Sequence, residues 1–121
     1  MATVQDPTGS PVVHYNKSGT AVIEVATGNP GPTLPHVCGY LVVLAEPTSG
    51  SESSNRVTLP VDADVGDVVE VHCTASSPWP AVSVRAPAGE SILGTGGGTL
   101  YGFARIYRKL SDTVWGATAA T

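Results

Sequence analysis

The most chemically varied stretch of this 121-residue chain lies near its C-terminus. On an extended strand over residues 99–109, Tyr101, Phe103, Arg105, Tyr107 and Lys109 alternate onto one side. Leu100, Gly102, Ala104, Ile106 and Leu110 take the other, with Arg108 among them. Rings interleaved with cations suit three purposes. They stack bases and track phosphates on single-stranded nucleic-acid platforms. They anchor subunit interfaces, where Tyr, Phe and Arg are enriched. They also form an ordinary core face with the cations at its end. The chain's net charge of −4 works against phosphate binding, so nucleic acid is not expected as a partner. An interface is the leading expectation for this face.

Two other groups carry metal-ligand types. His36, Cys38, His72 and Cys73 offer the two-Cys, two-His composition of many structural zinc sites. His72 and Cys73 are consecutive on a predicted strand, however, and point to opposite faces, so at most three of the four converge. Small buried thiols with solvent-facing histidines is the competing reading, and a Cys38–Cys73 disulfide is a third. Asp62, Asp64, Asp67 and Glu70 gather four acids within nine residues, yet lack the order of a calcium-binding EF-hand loop. They read as an acidic turn entering a strand, with Gly66 supplying the bend. No metal and no cofactor is assigned.

The remaining chemistry is sparse. The glycine-rich run at 94–98 lacks the Lys-Ser/Thr and the helix of a phosphate loop. No G-x-S-x-G, H-E-x-x-H or lone cysteine with an evident base is present, and an enzyme is not expected. Trp79, between Pro78 and Pro80, is placed to plug a core end or a neighbouring subunit.

Composition sets the framework for these residues. Fourteen glycines, ten prolines and seventeen valines favour strands and turns over helices. Charged residues make up 13% and apolar ones 41%, a globular balance for a chain long enough for one domain. No signal peptide is visible, and the longest uncharged apolar run, 37–45, is too short to span a bilayer as a helix. Membrane partners are therefore not expected, and the default compartment is reducing. Charge is segregated: residues 46–84 carry six acids and one arginine, residues 85–121 four bases and two acids.

The expected elements are short and closely spaced. Residues 1–11, including Val4 and Pro7, read as an N-terminal arm; a partner subunit is expected to pin this arm and the Ala-Thr tail. Residues 12–15 and 20–26 flank a hairpin turn, with Ala21, Ile23 and Val25 on one face and Glu24 on the other. Residues 28–35 form a Gly/Pro loop. Residues 37–45, apolar on both faces, form a central strand or one covered on both sides. Further strands are expected at 56–61 (Val57, Leu59, Val61 inward), 67–74 (Val69, Val71, Cys73 inward; Glu70, His72 outward) and 81–86 (Val82, Val84 inward; Ser83, Arg85 outward). The long strand 99–109 and a last one at 113–117, where Trp115 opposes Val114, complete the set. The expectation is an all-β, single-domain β-sandwich over residues 12–121, jelly-roll-like, with a small barrel as the other option.

Several short segments carry a family resemblance. They are Val57-Thr58-Leu59-Pro60, Val65-Gly66-Asp67-Val68-Val69-Glu70-Val71, and the run from Val82 through Pro87, Gly89, Glu90 and Ile92 to Gly94. Phe103 to Arg108 and Ser111-Asp112-Thr113-Val114-Trp115 close the series. Over about half the chain this order resembles β-rich modules of tailed-bacteriophage virion proteins, both fibre-like and head-decorating. A glycine run replaces the usual short polar turn after the isoleucine. The resemblance implies a structural role in the virion, often as a homotrimer. A single domain starting at Met1 favours a capsid decoration (cement) protein that binds the major capsid protein on the surface of the mature head, assembled in the host cytoplasm. Tyr101, Phe103, Arg105, Tyr107, Lys109, Trp79, Val4 and Pro7 are the expected interface residues. The alternative is a tail-fibre or receptor-binding tip module that holds host glycans through Trp79 and the loops.

Overall fold

A computed structural model describes residues 2–4, 13–15, 21–29, 31–36, 39–48, 55–74, 82–93, 99–100 and 104–120. Every regular element among them is a strand. In chain order these are β1 (Ala2–Val4), β2 (Val13–Tyr15), β3 (Ala21–Ala26), β4 (Tyr40–Glu46), β5 (Arg56–Thr58) and β6 (Val68–Cys73). They continue with β7 (Val82–Arg85), β8 (Ser91–Leu93), β9 (Thr99–Leu100), β10 (Ala104–Lys109) and β11 (Val114–Ala120). The large sheet has the order β1-β2-β3-β4-β6-β10-β11-β8, and the small one β5-β7-β9. No helix among the described residues is long and apolar enough to cross a membrane.

From β4 onward the chain alternates between the sheets. It leaves β4 for β5, returns to β6, leaves for β7, returns to β8, and leaves once more for β9 before ending on β10 and β11. This alternation explains the mixed sheet. Parallel neighbours need a crossover connection rather than a hairpin. The crossover between parallel β4 and β6 runs through the small sheet. The one between parallel β3 and β4 also reaches it, since Gly28 bridges Arg56 and Thr33 bridges Thr58. Gly31 permits that approach: a Cβ there would lie 2.0 Å from the Arg56 carbonyl oxygen. The Gly/Pro stretch expected to be irregular is thus an ordered strap along β5.

The buried faces of the two sheets share one core. Ala21, Ile23 and Val25 of β3, Leu41, Val43 and Ala45 of β4, and Val69, Val71 and Cys73 of β6 meet Val57, Leu59, Val82 and Val84 of the small sheet. Tyr107 and Trp115 close one end, and Leu34 enters from the strap. This all-β arrangement is compatible with a β-sandwich. Buried Asn55 stitches the far end, its Oδ1 accepting from Thr27 Oγ1 at 3.1 Å and Thr48 N at 3.0 Å.

Four expectations change. Ala2–Val4, inside the stretch read as an arm, forms β1 and pairs with β2. The single long strand over 99–109 is divided, with β9 in the small sheet and β10 in the large one. Val61, expected inward, is exposed, because β5 ends at Thr58 and the chain turns after Pro60, which has no amide N–H to continue a ladder. Ser83, expected outward, is buried; its register neighbours on the flanking strands are Arg56 of β5 and Thr99 of β9.

Candidate functional site

Alternation along β10 places Arg105, Tyr107 and Lys109 on one face, as expected, but that face is the chain's own core. Tyr107 has 0% exposure and Lys109 3%. Burial pushes the Tyr107 phenol well above its usual range. Lys109 Nζ forms an ion pair with Glu90 Oε1 and lies 5.3 Å from the centre of the Trp115 ring. Trp115 Nε1 donates to the same Glu90 oxygen at 2.9 Å. Their burial takes Tyr107 and Lys109 out of the expected interface. Arg105 shares the inward register, opposite Val71, and its Nε is buried without a hydrogen bond. Tyr101, Phe103, Trp79 and Pro7 lie outside the described residues, as does the Val4 side chain.

The opposite face of the large sheet is open and partly apolar. Its register aligns Tyr40, Val68, Arg108, Gly116 and Leu93 in one row across β4, β6, β10, β11 and β8. The next row holds Val22, Val42, Glu70, Ile106 and Thr118. β4 is central in its sheet, as its double-sided apolar sequence predicts. Its outward Val42 and Leu44 are nonetheless only half-buried. Toward the β8 edge, Leu93, Ile106, Arg108, Leu110 and Gly116 line an open groove of about 440 Å³. Leu110 lies across Gly116 so closely that a Cβ on that glycine would sit 3.0 Å from Leu110 Cδ1. Leu93 is 54% exposed and Leu110 47%.

Polar groups fix the other half of this face. Glu70 accepts from Tyr40 Oη through one carboxylate oxygen and contacts His72 Nε2 through the other. These two bonds hold the Glu70 carboxyl below its usual range, against the opposing effect of burial. The Tyr40 phenol is raised, first by its bond to Glu70 and then by burial. His72 therefore faces outward with Glu70, while Cys73 is buried in the core with a free thiol. The four-residue Cys/His set does not gather around one point on these residues; Cys38 lies outside the described ones.

A third cluster joins residues that the sequence kept apart. His36 ends the described part of the strap after β3, and Asp64 and Asp67 stand in the turn before β6. His36 Nε2 is 3.0 Å from Asp67 Oδ2 and 3.8 Å from Asp64 Oδ2. Asp67 Oδ1 accepts from Gly39 N at 3.0 Å and its Oδ2 from Asp64 N at 2.9 Å. The turn is closed the other way by Asp67 N donating to Asp64 O at 3.0 Å. Burial pushes the Asp67 carboxyl up, but the Gly39 and Asp64 amides and His36 together hold it below its usual value. Asp62 and Glu70, grouped with these acids by sequence, are not among the three ligand-type groups that converge here.

No protein-family model matches the sequence, and searches of curated proteins and of solved structures return no significant match.

Proposed function

We propose that this chain is a bacteriophage capsid decoration protein that binds the outer surface of the mature head and bridges neighbouring copies of the major capsid protein. The observation that carries the reading is the open apolar face of the large sheet. Isolated exposed apolar side chains are ordinary on any protein. Here Leu93, Ile106 and Leu110 share one groove, with Arg108 beside them and Tyr40 in the same register row. An open apolar-lined groove is consistent with a protein–protein contact, and Tyr40 and Arg108 are of the residue types that anchor one. The resemblance of 57–115 to phage virion modules supplies the partner.

In this reading the decoration protein acts by mass action. A protein that binds only the expanded lattice stabilises it by the free energy of binding, with no catalytic residue required. The jelly-roll-like class, the homotrimer, a contact made by the N-terminal residues around β1 and the location on the virion surface belong to the same proposal. Co-sedimentation with heads of the encoding phage, before and after expansion, tests it. Saturable binding to expanded heads alone is expected; no binding to either form would refute the assignment.

A further inference from the structure

His36, Asp64 and Asp67 present one imidazole nitrogen and two carboxylate oxygens within 4.8 Å of one another. They come from two separate crossovers, the strap between β3 and β4 and the turn between β5 and β6. We propose that these three side chains form a binding site for a divalent transition metal of the zinc class, which clasps the two crossovers together.

The spacing suits such an ion. Tetrahedral zinc with bonds of about 2.0 Å sets its ligand atoms about 3.3 Å apart. The distances of 3.0 and 3.8 Å from His36 Nε2 to the two carboxylates bracket that value. The lone pairs also suffice. A carboxylate oxygen has two acceptor positions, and Asp67 Oδ2 uses one on the Asp64 amide. Its second faces His36 Nε2, so either a proton or a metal ion can lie between the two atoms. A metal entering there takes the Nε2 lone pair, so a proton on Nε2 moves to Nδ1 of the neutral ring or, from an imidazolium, to solvent, which is the usual coupling of metal binding to protonation.

The donor set narrows the ion. Imidazole favours zinc, copper, iron or nickel over calcium and magnesium, which prefer all-oxygen shells. The environment is asymmetric: the Asp67 side chain is 13% exposed, His36 28% and Asp64 75%. Asp67 is the anchor held by two backbone amides, and Asp64 is the exposed ligand facing water. These three ligands, the ones found among the described residues, leave a fourth position for solvent or another donor.

The test uses full-length, untagged, EDTA-treated protein and zinc chloride, read as melting temperature. Zinc at on the order of a hundred times its dissociation constant should raise the wild-type Tm by about 10 °C. Asp64→Asn keeps the Asp67 anchor, so its metal-free Tm should match wild type while the zinc shift is lost. His36→Ala should lose the shift as well, and cobalt should give a visible d–d absorption band in wild type alone. A wild-type Tm unmoved by zinc overturns the proposal. So does an undiminished shift in both variants, which would place zinc elsewhere, for example on His72 or Cys73.

Discussion

Two charged clusters sit back to back where β10 ends, joined through the main chain. Gly66 N donates to Lys109 O at 2.8 Å, and Lys109 N donates to Asp67 O at 3.0 Å. On the inner side, Lys109 and Glu90 are sealed against Trp115, with side-chain exposures of 4% and 11%. On the rim, His36, Asp64 and Asp67 converge with graded access to water. A buried ion pair is shielded from a ligand, and removing one partner strands the other. A half-open cluster with acceptor positions to spare can take a cation with little rearrangement. The contrast separates a group that holds the fold from one that can act.

Substitutions should separate the two clusters by the size of their effects. Lys109→Met leaves the Glu90 carboxylate buried without a cation and should cost about 3–5 kcal/mol in chemical denaturation. An effect under about 1 kcal/mol would show that water reaches Glu90 and that the inner cluster is not sealed. Asp67→Asn weakens the charge-assisted bonds to the Gly39 and Asp64 amides and should cost about 1.5–3 kcal/mol. Asp64→Asn alters only the exposed ligand and should stay within about 0.5 kcal/mol of wild type.

Acid sharpens the comparison further. The Asp67 and Glu70 carboxyls are held below their usual range in the folded chain, so below about pH 4 the unfolded chain binds more protons. Their stabilisation is complete above that pH and is lost as pH falls through the lowered folded values. Asp67→Asn should therefore flatten the fall in urea midpoint below about pH 4. An unchanged slope would assign the acid sensitivity to other groups.

Much of the inner architecture was legible from period-two alternation. Ile23 and Val25, Val69 and Val71, Val82 and Val84 all face the core as their spacing predicts. Alternation also put Arg105, Tyr107 and Lys109 on one side of β10. It could not say whether the chain itself or a partner covers that side, and the aromatic-cationic composition suits both. The acid near Lys109 that decides the matter, Glu90, is nineteen residues away. The rim cluster was hidden for a related reason. His36 and Asp67 are 31 residues apart, and only the parallel pairing of β3, β4 and β6 brings their crossovers together. The outer groove depends on Leu110 lying on Gly116 across a hairpin, a contact that no local pattern announces.

In the proposed role, the open face of the large sheet is the surface that would bind the head. Its most direct test is co-sedimentation of wild type and the Leu93→Glu/Leu110→Glu double variant with expanded heads, at matched protein concentrations. Both substituted side chains are exposed in the isolated chain, so the variant should fold normally. Saturable binding by wild type and at least a tenfold loss of affinity in the variant are expected, at about 1.4 kcal/mol per tenfold. Equal binding by both proteins would contradict this and move the contact to another surface.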